Sequence, residues 1–273
     1  MESPRDAIGR EERATDTVTA ALVERFGATL GIAPPASGRI APRLIHFCLA
    51  QPAAPAALLG RDGHPATGDF LPRLPLPRRM WAGSDIRFHG DLCIGDTVER
   101  RSRVADIVRK QGRTGELYFV TVDHDYRRDG ATVIEDRQTL VYRADDASPP
   151  PPGPAAPHGT TSIALVPDDV LLFRYSALTF NGHRIHYDRR YAVEVEGYRG
   201  LVVHGPMQAT LLYHLAAEVS GRPPDLFTFR SISTLFDGEA MALHAGEMTD
   251  NALPLWTARE GGPVAMQAEA RWA

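Results

Sequence analysis

Phe180-Asn181-Gly182-His183-Arg184-Ile185-His186-Tyr187-Asp188, followed by Gly200-Leu201-Val202-Val203-His204-Gly205-Pro206-Met207, sets titratable groups on a short turn ahead of a Gly-Pro helix start. A site that activates water beside an oxyanion hole needs both parts: a base on a turn, and unpaired backbone N–H groups where a helix begins. Pro206 suits the first helical turn because its missing N–H is not needed there. The helix start then presents free N–H groups and a positive dipole end, with Gly205 as the candidate donor. Taken singly, each part is commonplace, a hydrogen-bonded turn histidine and an ordinary helix entry. Together they point to chemistry.

Composition narrows the field. The chain has 273 residues, 43% hydrophobic and 23% charged, with a formal net charge of -4. That is a soluble, globular balance without the basic excess of a nucleic-acid binder. Length allows two ordinary domains or one large one. The two cysteines, Cys48 and Cys93, lie in apolar stretches and suggest neither a disulfide framework nor a cysteine-rich metal site. Met1 to Arg13 carries charges of both signs and lacks the apolar run of a secretory signal, while Glu2, Asp6, Glu11 and Glu12 disfavour a transit peptide. No segment offers the ~20 apolar residues that cross a bilayer. A cytoplasmic protein with no membrane partner is expected.

The periodicity predicts an N-terminal helix within residues 11–30, from the spacing of Val18, Leu22, Val23, Phe26 and Leu30. Residues 52–79, rich in Pro, Ala and Gly, read as a loop over the substrate with a short helix near Leu58. Long β-rich segments follow at Met80 to His89, Thr97 to Lys110, Leu117 to Arg127 and Thr132 to Arg143, as in an antiparallel meander. The proline-rich run at 146–161 reads as a linker between an N-terminal unit, 1–145, and a C-terminal unit, 162–273. Beyond it, Asp169 to Tyr175 reads as a strand and Met207 to Val219 as an apolar helix. Further strands are expected at Asp225 to Leu235, Glu239 to Glu247, Ala252 to Arg259 and Val264 to Trp272. The pattern alone gives an α+β class with two units of meander sheet.

The run Phe173-Arg174-Tyr175-Ser176-Ala177-Leu178-Thr179-Phe180-Asn181, with Arg184-Ile185-His186-Tyr187-Asp188 and Gly200 to Pro206, resembles the MaoC-like (R)-specific hydratases and dehydratases of hot-dog fold. Within that family it is similar to the branch holding mesaconyl-C4-CoA hydratase and the mitochondrial type 2 hydroxyacyl-thioester dehydratase. Pro77-Arg78-Arg79-Met80-Trp81-Ala82-Gly83 and Ile94-Gly95-Asp96-Thr97-Val98 extend the likeness through the N-terminal half. The resemblance implies a double hot-dog, two antiparallel sheets each wrapped around a helix. The first central helix would be shortened to Leu44 to Ala50, and the active site would occur once per chain, in the C-terminal unit.

It also implies a hydro-lyase acting on an acyl-CoA thioester, with coenzyme A as part of the substrate and no separate cofactor. His186 aligns with the family's catalytic histidine; the Asp usual five positions earlier is here Asn181. An amide cannot accept a proton at neutral pH, so Asn181 is expected to orient water and leave the proton to His186. Arg184, Asp188 and His204 are the candidate substrate-binding residues, Arg184 for a phosphate or a carboxylate. Asp188 equally suits a helix cap. The His183-x-x-His186 spacing, even with His204 nearby, is a weak metal signal, because zinc normally needs three protein ligands with support behind them. The expected reaction hydrates mesaconyl-C4-CoA to citramalyl-CoA. A (3R)-hydroxyacyl-thioester dehydratase and a non-catalytic acyl-CoA-binding protein are the alternatives. Monomer and homodimer both fit a chain that already contains the hot-dog pairing.

Overall fold

The computed structural model describes residues 3–33, 38–112, 115–144 and 153–273. Ten strands form one antiparallel sheet in the order β1-β3-β4-β5-β2-β7-β10-β9-β8-β6. Their bounds are β1 Glu11–Thr17, β2 Arg78–Phe88, β3 Thr97–Gly112, β4 Gly115–Arg128, β5 Ala131–Arg143, β6 Thr161–Leu165, β7 Leu226–Ser231, β8 Met241–Ala245, β9 Ala252–Arg259 and β10 Val264–Arg271. Counted from either edge inward, the order is the same: first, third, fourth, fifth and second strand of each half. The sheet therefore carries an internal repeat, the double hot-dog expected from the sequence. The halves meet where β2 pairs with β7, Gly83 opposite Arg230. A Cβ on Gly83 would strike the Phe229 carbonyl, so glycine allows the closest approach of the two strands.

The helices are α1 Ala20–Leu30, α2 Asp169–Leu178 and α3 Gly205–Ser220. Long α3 is apolar on most sides and buries Met207, Ala209, Leu212, Tyr213, Leu215 and Ala216 against the C-terminal strands. In the N-terminal half the matching place, before the sheet's second strand, is held by a single 3₁₀ turn, Ile45–Cys48, all of it buried. The expected short central helix at 44–50 is there in that tighter form. A second apolar cluster joins Val104, Ile107, Val120 and Val122 to Phe70, Leu71 and Leu74, so the Pro-rich loop is anchored on the sheet at its far end. A 3₁₀ turn at Ala56–Leu58 is the short helix expected there. Among the described residues no helix is long and apolar enough to cross a membrane.

Two expectations fail for local reasons. Residues 11–17 are a strand, not the start of the first helix: Glu11 to Thr17 pair with Arg103 to Thr97, and the Glu12 carboxylate meets Arg100 at 2.9 Å. The helix begins only after Thr19, whose hydroxyl accepts from the Leu22 N–H at 3.1 Å. The strand expected at 169–175 is helix α2. Asp168 caps it by accepting from the Leu171 N–H at 2.7 Å, and its buried Leu172, Tyr175 and Ser176 have the helical spacing i, i+3, i+4. The expected linker at 146–161 falls partly on 146–152, which lie outside the described residues, and its last residue already opens β6.

Candidate active site

Helix α2 ends at Leu178, and Phe180, at φ 51°, turns the chain out of it. The Asn181 side-chain oxygen accepts from the His183 N–H at 3.0 Å, which folds the next residues into a tight turn. Arg184–His186 then form one 3₁₀ turn. It is held against the segment before α3 by Val202 N–H donating to the Ile185 carbonyl, 2.9 Å, and by the His186 ring bonding back to the Val202 carbonyl, 2.7 Å.

That ring bond fixes the tautomer. A carbonyl only accepts, so His186 Nδ1 carries the hydrogen and Nε2 keeps its lone pair. Burial pulls the His186 pKa down to about 4; the Val202 bond works against the fall and the charge of His64 adds to it. The imidazole is thus neutral over the physiological range, as a proton acceptor must be. Its face is stacked on His204, ring centres 3.7 Å apart and planes 19° apart. His204 is fully buried and its Nε2 pairs with Ser176 Oγ at 2.8 Å. The His204 ring, with no surface of its own exposed, lies behind His186 and backs it.

Gly205 opens α3 immediately after His204. As the first helical residue its N–H has no acceptor within the helix. A side chain here would come within 3.3 Å of Ser231 Oγ, tighter than an ordinary contact, so glycine leaves the most room at the helix start.

Arg184 and Asp188 are partners of each other. Arg184 donates to the Asp188 carboxylate at 2.7 and 3.1 Å and to the Arg61 carbonyl at 3.2 Å, and its guanidinium lies 4.1 Å over the Tyr191 ring. Asp188 also accepts from the Tyr191 N–H at 3.0 Å, the capping role. Both side chains are committed to holding the turn. Three of the four arginines of β3 are also paired within the protein: Arg100 with Glu12, Arg101 with Glu99 and Arg109 with Glu116.

The sequence reading missed the contribution of the N-terminal half. Residues 60–64 of the Pro-rich loop lie directly on the histidine turn. The Arg184 N–H donates to the Asp62 carbonyl at 2.9 Å, and a Cβ on Gly63, which sits at φ +88°, would run into the Gly182 carbonyl. Asp62 Oδ2 pairs with His64 Nδ1 at 2.8 Å, and the His64 ring packs on His183, tilted by 38° with ring centres 4.2 Å apart. The His183 ring in turn meets His186 edge to face at 5.3 Å. Four imidazoles, 64, 183, 186 and 204, form one ladder from a carboxylate to a serine hydroxyl. Burial, with the neighbouring rings, holds His183 and His204 well below the ordinary histidine value. Although burial pushes the other way, the bond and charge of His64 hold the Asp62 carboxyl well below the carboxylate range. Among the described residues, Asp62, His64 and His183 offer ligand atoms within 4.8 Å of one another and are the group that could take a cation. The signal in the sequence was the Asp-Gly-His spacing inside a run dominated by proline and glycine.

The sequence profile of the hydroxyacyl-thioester dehydratase type 2 family matches residues 44–237, from the buried 3₁₀ turn to the start of β8's approach. A mesaconyl-C(4)-CoA hydratase of Chloroflexus aurantiacus is 45% identical over 237 residues, 84% of each chain. The mitochondrial hydroxyacyl-thioester dehydratase type 2 of Schizosaccharomyces pombe is 27% identical over 229 residues, 74% of this chain and 76% of that one. A MaoC-like dehydratase structure from Phytophthora capsici superposes with a TM-score of 0.77 at 13% identity, over 99% of this chain and 98% of that one, which is a likeness of fold. With the matched span covering both the 60–64 loop and the His186 turn, the chain belongs to the hydroxyacyl-thioester dehydratase type 2 family.

Proposed function

We propose that this protein is a hydro-lyase that adds water reversibly to an α,β-unsaturated acyl-CoA, with mesaconyl-C4-CoA as the substrate and citramalyl-CoA as the product. The observation that carries the proposal is His186: a neutral imidazole, locked by Val202 into the tautomer with a free Nε2, next in the fold to the start of α3. His186 Nε2 takes a proton from water as the water oxygen bonds to the β-carbon. The charge that develops on the thioester oxygen is met by the Gly205 N–H and the positive end of α3. Asn181, with its oxygen occupied by the His183 N–H, keeps two amide hydrogens to orient the water. No group beyond coenzyme A, which arrives with the substrate, is required, and we place the reaction in the cytoplasm.

The choice of acyl group is supported by the 45% identity to the Chloroflexus hydratase. A free carboxylate on the acyl chain calls for a cation, and Arg184 is already committed to Asp188. Arg79 on β2 is better suited: its charge reaches both His64 and His183, and among the described residues no carboxylate pairs with it. A (3R)-hydroxyacyl-thioester dehydratase of fatty-acid metabolism is the second reading, favoured by the family match. Incubating the purified protein with mesaconyl-C4-CoA, itaconyl-CoA, crotonyl-CoA and a long-chain enoyl-CoA, and following loss of the enoyl absorbance, separates the two. Fastest turnover of mesaconyl-C4-CoA is expected. Preference for the long neutral chain would select the dehydratase, and no hydration of any of them would leave a thioester-binding protein.

A further inference from the structure

Water addition needs a proton removed from water and a proton delivered to the α-carbon. His186 accounts for the first. Asn181, whose side chain folds the same turn through the His183 N–H, cannot accept or release a proton at neutral pH. Within the described residues, the titratable groups closest in the ladder are His183, which is deeply buried between two other rings, and the Asp62–His64 dyad beyond it.

The dyad has the build of an acid–base pair. Asp62 accepts from His64 through both oxygens, Oδ2 from the ring Nδ1 at 2.8 Å and Oδ1 from the backbone N–H at 3.1 Å, so the ring orientation is set by its own carboxylate. With Nδ1 engaged, Nε2 is the nitrogen that can exchange a proton. The His64 side chain keeps 22% of its surface exposed, so it can be recharged from solvent, while His204 at the other end of the ladder has none. Burial, with the charge of Arg79 on β2, holds His64 below the ordinary histidine value, and the bond and charge of Asp62 work against that fall and keep the imidazolium within reach. His183 is the ring between it and His186.

We propose that the Asp62–His64 dyad is the second acid–base group of the site, a catalytic pair lent by the N-terminal half to the chemistry of the C-terminal half. In hydration, an O–H bond of water breaks toward His186 Nε2 as the oxygen bonds to the β-carbon. The His64 Nε2–H bond breaks as the α-carbon–hydrogen bond forms. His186 is left as imidazolium and His64 neutral, and the proton returns from the first to the second across His183 or through solvent, so no co-reactant is consumed. Dehydration runs the same transfers backwards, with Asp62 stabilising the imidazolium that His64 becomes.

This rests on the hydratase reading, and the test separates the two. Turnover of mesaconyl-C4-CoA and crotonyl-CoA is compared for the parent, His186→Ala, His64→Gln, Asp62→Asn and His64→Gly with added imidazole. The expected result is a kcat for His64→Gln about 10²-fold or more below the parent with KM little changed, a smaller fall for Asp62→Asn, and recovery of His64→Gly by imidazole. A His64→Gln variant within about threefold of the parent while His186→Ala is inactive would overturn the dyad alone. So would a loss that imidazole does not restore and that comes with a lowered melting temperature, which would make the loop a clamp only. Loss of parent activity on chelation, regained with zinc, would give Asp62, His64 and His183 to a cation instead. An inactive parent on every thioester defeats the hydratase reading itself.

Discussion

The two halves of the sheet share a strand order and differ at their centres. In the C-terminal half a full helix, α3, begins with Gly205, and its N-terminus lies beside a neutral, tautomer-fixed His186. In the N-terminal half the same place holds one 3₁₀ turn, entered through Leu44 at φ 68°, and it too carries a histidine, His46. His46 is fully buried among Phe47, Phe88 and Tyr126, with both ring nitrogens unpartnered among the described residues and Asp136 at 3.8 Å. A turn of that length has no run of free N–H groups and no developed dipole, so it offers an oxyanion nothing. Duplication has thus left one centre open to chemistry and one closed into core. The closed half instead supports the open one, through the 60–64 loop laid on the histidine turn.

The largest effect that would break this contrast is a swap of importance between the two histidines. His186→Ala is expected to lower kcat/KM by about 10²–10⁴ with the fold retained, because the ring sits on a turn and its base is lost. His46→Leu is expected to leave turnover within about twofold and to raise the unfolding free energy by about 1–3 kcal/mol, since a buried ring with unmade hydrogen bonds is replaced by an apolar group of similar bulk. Turnover assays and urea melts of both variants check this. A His46 variant as inactive as His186→Ala would mean that the closed half takes part in the reaction.

How much of this was legible in the sequence follows from the same contrast. The meander strands could be read because their side chains alternate between a buried and a half-buried face, as β4 does throughout from Tyr118 to Tyr126. Helix α3 and the Gly205-Pro206 entry could be read because capping chemistry is local. Strand β1 could not: Glu11 to Thr17 is polar on both faces, and only pairing with β3 makes it a strand. Helix α2 was mistaken because Val170, Leu171, Leu172 and Phe173 form a run whose length alone does not distinguish strand from helix. The His186 turn was legible as a string of residue types, whereas the Asp62–His64 contribution depends on a contact across more than a hundred positions, which no spacing rule encodes.

A second test turns on charge. Burial drags His46 and His124 down to about 3 and His186 and His214 down to about 4, while Asp136, also buried, is pushed up to about 7. For the histidines the unfolded chain binds protons below its ordinary value of 6.5 and the folded chain does not, so the stability they lend is lost as pH falls from 6.5 toward 4. Asp136 has the opposite sign: its folded form holds a proton up to about pH 7 that the unfolded form releases near 3.8, so it favours the fold as pH falls across that window. Four histidines outweigh one aspartate. Each such histidine contributes about 2 kcal/mol less at pH 5 than at pH 7, and the melting temperature is expected to drop on that acidification. Three of the five groups, His46, His124 and Asp136, belong to the closed half. Replacing His46 and His124 by apolar residues while keeping Asp136 should therefore flatten the dependence more than His186→Ala does, and an unchanged slope would show that these two rings titrate normally.

The smallest expected effect separates the two arginines that approach the open centre from different halves. Arg184, from the C-terminal half, is spent on Asp188, the Arg61 carbonyl and Tyr191, so Arg184→Leu loosens the turn that carries His186 whatever the substrate. Its losses on crotonyl-CoA and mesaconyl-C4-CoA should be equal. Arg79, from the N-terminal half, sits on β2 opposite Tyr142 and places its charge on His64 and His183. A hydrogen bond to a charged group is worth about 1.5–3 kcal/mol, so Arg79→Gln should lower kcat/KM for mesaconyl-C4-CoA by about 10-fold or more relative to crotonyl-CoA, which has no free carboxylate to lose. The comparison uses the ratio between substrates because removing Arg79 also eases the protonation of His64, an effect common to both. A selective loss on Arg184→Leu with none on Arg79→Gln would return the carboxylate to the C-terminal arginine, and would confine the contribution of the N-terminal half to the 60–64 loop.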